Sequence, residues 1–410
     1  MHKYILGSEI ILKQGRKIKM KSKLKWLFPI LLVAVLAICL CTAFAADEMV
    51  STDAAEDTDA TATDIAGTEA TDATATDAEK DTTTIMLTGD LMCQPNQQYA
   101  GYDGENYDFT TTFKYVKPIF DKADVVIGNL ETLVSKSLPL SKDMKKLQGR
   151  PYLNSPSEWL DALQYAGFDA FILANNHDCD GGKTGITETL AELDSREIPY
   201  TGLYDSKNDK HYFIIESNGI KIGVLAYAGY FNKKEQFLDG DTWMLSMHDQ
   251  ATSDVKALKK AGADYIIAYS HAGTEYVQKP NARQKSFGQF LAEAGVDYIV
   301  GSHPHVLQPY TKIKYNGKTV PYIYSMGNFT SAMKEDIKKE TIILSITLKK
   351  DSNGDVKLSS QKYYPCFMLD EYDGDSYVLM PESVAKKDSS LSKELSSNYK
   401  HIRKIVGKLS

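Results

Sequence analysis

Three stretches of one repeated pattern decide the fold: AGFDAFILANNH at residues 166–177, AGADYIIAYSH at 261–271 and AGVDYIVGSHPH at 294–305. Each begins with the Ala-Gly that follows an amphipathic helix, where a left-handed C-terminal residue favours glycine. A short apolar run then predicts a buried strand, and each strand ends at a histidine. Because helices and strands alternate, we predict a largely parallel sheet covered by helices.

Hairpin signals add antiparallel strands to this parallel sheet. Asn-Gly pairs at 218–219, 316–317 and 353–354 each separate two strand-like runs, and Asn-Gly is the strongest short hairpin signal. Two β-rich runs, TTIMLTGD at 83–90 and DVVIGNLE at 124–131, open the domain. The sequence therefore predicts a mixed α/β fold, and two sheets packed face to face between helices fit these strands.

Side chains that bind metals cluster at the ends of the predicted strands. In open α/β sheets, ligands bind beyond the carboxyl ends of the strands. Imidazole together with oxygen ligands suits Zn, Mn or Fe better than Ca or Mg, and such an ion lowers the pKa of a bound water toward about 7. The strand-end residues that could take part are Asp90, Glu131, Asn176, His177, His271, His303 and His305.

Asp178 and Asp180, which follow His177 closely, leave two interpretations open. They could orient the metal ligands from behind, or they could form an Asx turn ahead of Gly181-Gly182. The spacing alone does not decide between a functional and a structural role.

Charge is distributed unevenly along the 410 residues, whose formal net charge is -7. Residues 1–46 hold eight Lys or Arg and one Glu, whereas residues 47–82 hold twelve Asp or Glu and one Lys. The remainder is only slightly acidic, so it presents no basic surface of the kind that binds nucleic acid. Five cysteines are too few for a disulfide framework in a chain of this length.

The N-terminal segment has the layout of an export signal, because a lysine-rich stretch precedes an uncharged apolar run at 26–46. The run is long enough to cross a bilayer as a helix, and small residues before Ala46 fit a cleavage site, so a retained anchor and a cleaved signal both remain open. Residues 47–82 repeat Thr, Asp and Ala, which predicts a disordered acidic linker. By the positive-inside bias the domain would face outward, anchored on the extracellular face of the membrane or secreted.

Several blocks resemble the CapA family of poly-γ-glutamate capsule biosynthesis proteins, over residues 85–333. They are LTGDLM at 87–92, GNLE at 128–131, GRPYLNSP at 149–156, ANNHDCDGG at 174–182, HAGTEY at 271–276, GSHPHVLQP at 301–309 and YSMGNF at 324–329. The resemblance implies a four-layer α/β/β/α sandwich like that of calcineurin-like metallophosphoesterases. Carried over by position, the site residues of that fold match Asp90, Asn176, His177, His271, His303 and His305.

Two positions depart from the phosphoesterase pattern. Met92 stands where that fold has a ligand histidine, and Asn129 stands where it has a bridging aspartate, with Glu131 as the nearest acid. These changes leave open whether one divalent ion (Mn, Zn or Fe) is bound or two. The resulting hypothesis has His177 as proton donor, Asn129, Asp178 and Asp180 as supporting residues, and the metal held by Asp90, Glu131, Asn176, His271, His303 and His305.

The resemblance implies a role in the biosynthesis or processing of an anionic surface polymer, poly-γ-glutamate, by metal-assisted hydrolysis or transfer. Two alternatives remain: a non-catalytic partner of a membrane-bound polymer synthase or exporter, and a free-standing surface phosphodiesterase. The predicted organisation is a signal peptide or anchor at 1–46, a linker at 47–82, the CapA-like domain at 83–375 and a peripheral tail at 376–410.

Overall fold

The structure, a computed structural model, describes residues 81–147, 149–234, 240–241, 244–246 and 248–409. The predicted signal or anchor lies outside the described residues, and so does all of the predicted linker except its last two residues. Strand β1 begins at Thr82, one residue before the predicted start of the domain. Within the described part of the chain, no helix is both long and apolar enough to cross a membrane.

The domain consists of two large sheets and the helices that connect their strands. The strands are β1 (Thr82–Leu91), β2 (Val125–Leu130), β3 (Lys146–Leu147), β4 (Arg150–Pro151), β5 (Ala170–Ile172), β6 (Tyr200–Thr201), β7 (Phe213–Ser217), β8 (Ile220–Ala228), β9 (Tyr265–His271), β10 (Tyr298–Ser302), β11 (Leu307–Tyr315), β12 (Lys318–Met326), β13 (Asn328–Thr330), β14 (Glu340–Lys350), β15 (Val356–Tyr372) and β16 (Asp375–Pro381). The helices are α1 (Pro95–Ala100), α2 (Thr110–Phe113), α3 (Lys117–Phe120), α4 (Glu158–Ala166), α5 (Gly182–Asp194), α6 (Ala251–Lys260), α7 (Ala282–Ala294), α8 (Asp336–Lys339), α9 (Glu382–Ala385), α10 (Ser389–Glu394) and α11 (Ser396–Val406).

Both large sheets mix parallel and antiparallel pairing. The first has the order β16-β15-β14-β1-β2-β5-β6, with β13 also paired to β1. Its strands β1, β2, β5 and β6 run parallel, whereas β14, β15 and β16 join antiparallel. The second has the order β11-β12-β10-β9-β8-β7, in which β8, β9, β10 and β12 are parallel and the two edge strands are antiparallel. The predicted mixed α/β fold is confirmed.

The three Asn-Gly pairs lie at the predicted hairpin turns, between β7 and β8, between β11 and β12, and between β14 and β15. In the first turn Asn218 and Gly219 have φ angles of 49° and 69°, and in the second Asn316 and Gly317 have φ angles of 47° and 76°. A two-residue type I′ turn requires a positive φ at both positions, which Asn and Gly tolerate best. The local sequence therefore determines these hairpins.

Side-chain alternation shows that the two sheets face each other between layers of helices. In β8, Val224 and Ala226 belong to the main core, which both sheets share, while Leu225 and Tyr227 belong to a second core with α6 and α7. All six residues of β2 are buried, so both faces of the first sheet are covered there, and Trp159 of α4 joins the main core. The order of layers is helix, sheet, sheet, helix, as expected for a four-layer α/β/β/α sandwich.

The C-terminal segment 376–410, which the sequence predicts to be peripheral, is part of the fold. Strand β16 forms the antiparallel edge next to β15, and Tyr399, Ile402 and Val406 of α11 are buried in the main core. The expectation is wrong because it relied on the average composition of the segment, which lysine and serine dominate. Its few apolar side chains recur at helical spacing, and burial depends on that spacing rather than on average composition.

Replacing Ile402 with alanine should lower the free energy of unfolding by about 2–5 kcal/mol, because the side chain is fully buried and its removal leaves a cavity. Urea denaturation of the purified protein measures this. Lys400→Ala on the exposed side of the same helix is the matched control and should change stability by no more than about 0.5 kcal/mol. Equal stability of the parent and Ile402→Ala would mean that α11 lies outside the cooperative unit.

Candidate metal centre

Polar side chains from both sheets meet at the carboxyl ends of their parallel strands. Asp90 near the end of β1 and Asn129 in β2 come from the first sheet. His271 ends β9 of the second sheet, and His303 and His305 follow β10. Each of these five residues is at most 3% exposed. The six predicted metal ligands lie together in this buried cluster: Asp90, Glu131, Asn176, His271, His303 and His305.

Glycine permits two backbones to approach closely at this edge. Strand β13 runs parallel to β1 beside Asp90, whose backbone N–H donates to the carbonyl oxygen of Gly327 at 3.1 Å. A Cβ atom on Gly89 would lie 2.0 Å from the same oxygen, so a larger residue does not fit without displacing the backbone. The Gly-Asp pair, by itself a weak signal in the sequence, is therefore needed to place Asp90 next to β13.

His271 is held through one ring nitrogen and faces the cluster with the other. Its Nδ1 lies 2.9 Å from Ser302 Oγ and 3.2 Å from Asn129 Nδ2. Its Nε2 lies 2.7 Å from Asn176 Oδ1 and 3.6 Å from Glu131 Oε1. Histidines that ligate metals are usually fixed in this way, with the second nitrogen bonded to a neighbouring group.

His303 and His305 are fixed by residues outside the predicted set. Tyr230 Oη lies 2.8 Å from His303 Nε2, and Asn328 Oδ1 lies 2.8 Å from His305 Nδ1. His305 Nε2 lies 3.9 Å from Glu131 Oε1, so this nitrogen faces the cluster. Each imidazole therefore has one oriented nitrogen and one nitrogen directed toward the carboxylate and amide oxygens.

The backbone of the His-Pro-His turn is left-handed at both histidines, with φ angles of 95° at His303 and 57° at His305. Such conformations cost about 1–3 kcal/mol each at residues other than glycine and concentrate at functional sites. The turn brings His303 Nδ1 to 3.2 Å from His271 Nε2. The surrounding sheets thus hold the turn in a strained geometry that directs both side chains into the cluster.

Two carboxylates share the cluster with the imidazoles, and one of them has unsatisfied oxygens. Asp90 accepts hydrogen bonds from Asn129 Nδ2 at 2.8 Å and from the backbone N–H of His303 at 3.2 Å. Both carboxylate oxygens of Glu131 are buried, and no N–H or hydroxyl among the described residues donates to them, while the Asp90 carboxyl is close enough to share a hydrogen bond with Glu131 when one of the two is protonated. A buried anion without donors is costly unless a cation compensates it. The Glu131 carboxylate therefore fits a bound cation.

Burial favours the neutral form of each titratable group in the cluster. It raises the pKa of Asp90, and together with the charges of Asp90 and Glu275 it raises the pKa of Glu131 well above its ordinary value. Burial, with the neighbouring imidazoles, also lowers the pKa of all three histidines. Neutral imidazoles are ready to ligate a metal, and the charge of an ion would return the carboxylates to their ionised form.

Two sets of three side chains each bring their ligand atoms within 4.8 Å of one another: Asp90, Glu131 and His271 form one, and Glu275, His303 and His305 form the other. Each set mixes imidazole with carboxylate, which suits Zn, Mn or Fe. The donor set therefore fits a divalent transition-metal ion, and the two adjacent sets are compatible with one ion or with a pair.

His177 lies beside the cluster and is paired with Asp180. Its Nδ1 is 2.6 Å from Asp180 Oδ2, which also accepts a hydrogen bond from the backbone N–H of Leu153 at 2.9 Å. Asp178 instead accepts a hydrogen bond from the backbone N–H of Asn175 at 3.0 Å and closes the loop after β5. Asp180 thus contacts and orients His177, which is one of the two interpretations left open by the sequence, whereas Asp178 bonds to the backbone of the loop that precedes it.

Some residues of the centre are not identified by sequence reasoning. Glu275 lies within the HAGTEY block, and its position four residues after a strand-end histidine is the one signal that could have identified it. Tyr230 lies in a connecting loop without any pattern. Met92, at the position of a ligand histidine in the phosphoesterase pattern, is 1% exposed and donates its backbone N–H to Thr330 O at 3.2 Å, so it is a core residue of the first sheet.

Among solved structures, the domain is similar to a 5'-nucleotidase precursor from Thermus thermophilus, with a TM-score of 0.44 and 15% sequence identity, covering 79% of this chain and 59% of that chain. It is also similar to a purple acid phosphatase from yellow lupin seeds, with a TM-score of 0.33 and 9% identity, covering 73% of this chain and 53% of that chain. Likeness at these TM-scores says nothing about function.

Sequence comparison finds relatives among proteins of capsule and polyglutamate synthesis. A "Capsule biosynthesis protein CapA" from Bacillus anthracis is 30% identical over 262 residues, 61% of this chain and 60% of that protein. A "PGA biosynthesis protein CapA" from Bacillus subtilis is 29% identical over 278 residues, 67% of this chain and 70% of that protein. A "Probable polyglutamine synthesis accessory protein" from Mycobacterium tuberculosis is 24% identical over 251 residues, 57% of this chain and 63% of that protein. The match thus spans less than two thirds of the Bacillus anthracis protein.

The family model described as "Bacterial capsule synthesis protein PGA_cap" matches residues 84–333. That segment is more than half of the chain, and it contains both sets of candidate metal ligands. On this match, the chain belongs to the family of bacterial capsule synthesis proteins described as PGA_cap.

Proposed function

We propose that this protein is an exported metal-dependent enzyme that acts on an anionic surface polymer, poly-γ-glutamate, by hydrolysis or transfer during capsule biosynthesis. The names of the two Bacillus relatives refer to capsule and PGA biosynthesis, and they suggest the polymer class. The chemistry is suggested by the buried cluster of imidazoles and carboxylates.

The burial of the Glu131 carboxylate without hydrogen-bond donors is the observation that supports a metal most directly. Its two oxygens are buried and accept no hydrogen bond from an N–H or hydroxyl among the described residues, while His271 and His305 direct ring nitrogens at Oε1 from 3.6 Å and 3.9 Å. A cation is the simplest group that would satisfy acceptors and neutral imidazoles at once. Without it, the fold would contain an uncompensated acid at the junction of its two sheets.

Asp90, Glu131, His271, His303, His305 and Glu275 would hold the ion, with Asn176 able to add an amide oxygen. A bound divalent ion polarises a carbonyl or phosphoryl oxygen and supplies a nucleophilic water near neutral pH. Asn129 and Ser302 would keep Asp90 and His271 in place.

His177 would then donate the proton that the leaving group needs. Its Nδ1 is occupied by Asp180, so Nε2 is the nitrogen left to face a substrate. A carboxylate that fixes the tautomer and orientation of a histidine is a recurring device of general acid–base catalysis.

The export signal and the acidic linker complete the proposed organisation. An N-terminal anchor or cleaved signal at 1–46 and a self-repelling spacer at 47–82 would place the domain outside the membrane. The polymer would then be met on the extracellular face, by an anchored or a secreted protein.

A second candidate is a non-catalytic partner of a membrane polymer synthase. The name of the mycobacterial relative, which describes an accessory protein, favours this candidate. In that case the metal would stabilise the fold, and the protein would contact the synthase subunits without turning over the polymer.

Metal content shows whether the cluster of imidazoles and carboxylates binds an ion. The purified protein should contain about one or two equivalents of transition metal, and a variant with His303→Ala and His305→Ala should contain none, as measured by elemental analysis. His211→Ala, which alters a histidine paired with Asp254 outside the cluster, should retain the metal. A folded parent protein that takes up neither Mn nor Zn would contradict the proposal.

Glu131→Gln should stabilise the metal-free protein while removing its response to metal. Because the pKa of Glu131 in the fold is raised well above 4.5, the fold loses stability as rising pH ionises this group, and glutamine avoids that cost. The variant should therefore melt at a higher temperature than the metal-free parent at about pH 8, with a smaller difference at about pH 5.

The same melting experiment with added Mn or Zn gives the second readout. The parent should gain stability through ligand binding and the Glu131→Gln variant should not. Glu293→Gln on the exposed side of α7 is the control and should behave as the parent does. A Glu131→Gln variant that still gains stability with metal would remove Glu131 from the site.

Catalysis by His177 is tested with the metal in place. His177→Ala should lower kcat on a γ-linked glutamate polymer about 100-fold or more, the contribution typical of a general acid, with unchanged metal content. Asp180→Asn should lower kcat less, because asparagine keeps the size of the side chain but no longer offers a carboxylate to orient His177. Unchanged kcat in both variants would remove His177 from catalysis, whereas no turnover of the polymer by the metal-loaded parent would favour the accessory role.

A further inference from the structure

A buried lysine, Lys233, lies in the segment that borders the metal centre, and the described residues offer it no counter-ion. Lys233 is 5% exposed, and its Nζ atom has no hydrogen-bond partner among the described residues. Its backbone is left-handed, with a φ angle of 56°, a conformation that lysine seldom adopts. A buried ammonium is costly unless it is paired, so its position in this fold needs an explanation.

The segment that contains Lys233 is attached to the metal cluster at several points. Tyr230 Oη lies 2.8 Å from His303 Nε2, and the backbone N–H of Asn232 donates to the carbonyl oxygen of Asn176 at 2.9 Å. These contacts tie the segment to two predicted metal ligands, His303 and Asn176, the second of which directly precedes His177. Lys233 is therefore held at the side of the centre where His177 lies.

A second cation lies next to Lys233. Arg150 Nη1 donates to Asn232 Oδ1 at 2.9 Å, and the Arg150 side chain is exposed. Burial lowers the pKa of Lys233, the charge of Asp180 opposes that shift, and the charge of Arg150 adds to it. No carboxylate among the described residues lies within 4.0 Å of the Lys233 Nζ atom, although Asp180 is close enough to act on it.

We infer that Lys233, with Arg150, binds an anionic group of the substrate next to the bond that reacts. This inference rests on the proposed function, because it assigns a subsite to the same centre. An anion there would pair with the buried ammonium and with the guanidinium, and the ion held by the carboxylates would contact the neighbouring reactive group. The anion is a carboxylate if the substrate is a polyglutamate chain and a phosphate if it is a phosphoester.

The position explains why the site keeps an unpaired charge. Asp180 uses Oδ2 to orient His177, and its Oδ1 has no hydrogen-bond partner among the described residues. Lys233 Nζ does not bond to that oxygen either, so the two groups influence each other by charge without forming a salt bridge. The ammonium is then available to a substrate that arrives with its own negative charge.

The test compares Lys233→Met with the parent by calorimetric titration of the full-length, Mn-loaded protein. A short γ-linked glutamate oligomer is one titrant and inorganic phosphate is the other. The parent should bind at least one of them, and Lys233→Met should bind it at least about tenfold more weakly, as expected for a lost charge-assisted contact. Lys233→Arg, which keeps the charge, should retain most of the affinity, and Arg150→Gln should weaken binding less than Lys233→Met does.

The titrants distinguish the sources of the anion. If the parent binds only the oligomer and Lys233→Met loses that binding, the subsite takes a carboxylate. If the parent binds only phosphate and Lys233→Met loses that binding, the subsite takes a phosphate. Lys256→Met on the exposed side of α6 is the matched control and should bind both titrants as the parent does. Equal affinity of the parent and Lys233→Met, or a parent that binds neither titrant, would overturn the inference.

A melting measurement without ligand separates a binding role from a structural one. Lys233→Met should melt at a higher temperature than the parent, because it removes a buried and unpaired charge, whereas a lysine that supports the fold would give a lower one. Metal content, measured on the same samples, should be equal in the parent and in Lys233→Met. Absence of metal in the parent would contradict the proposed function alone, since the same titrations repeated without Mn still compare Lys233→Met with the parent.

Discussion

The burial of Glu131 is the constraint on which the rest of the centre depends. Its carboxylate lies at the junction of two sheets, where neither oxygen has a hydrogen-bond donor among the described residues. The imidazoles of His271 and His305 face it and that of His303 lies against His271, and each of the three has one nitrogen fixed by a neighbouring Ser, Tyr or Asn side chain. An acid and three neutral bases packed this closely are stable together when a cation lies among them.

The strained turn at His303 and His305 also depends on how the two sheets pack. Two residues other than glycine in left-handed conformations together cost about 2–6 kcal/mol, and the sheets that flank the turn must offset that cost. Strand β13 contributes here, because Asn328 binds His305 and the Gly89–Gly327 approach positions β13 against β1. The packing of the first sheet thus determines the geometry of His305, although this residue follows a strand of the second sheet.

Sequence reasoning recovers the features that depend on local patterns. The Asn-Gly hairpins follow from the φ angles that those two residues tolerate, and the strand-end histidines follow from the repeated helix–strand unit. It misses features that depend on tertiary contacts. Tyr230 binds His303 from a loop without any pattern, Glu275 has no signal except its distance from His271, and α11 is buried through three apolar residues within a polar composition. None of these contacts can be read from residues close together in the chain.

The candidate ligands are distributed across both sheets, from Asp90 in the first to His305 after β10 of the second. The set of Asp90, Glu131 and His271 draws on both sheets, so an ion bound by it would cross-link the two halves of the sandwich. Its binding free energy would then add to the adhesion between the sheets rather than to the stability of either one. In surroundings poor in that ion, the sheets would separate more often and expose their shared core to proteases, so the lifetime of the protein would follow the local supply of metal.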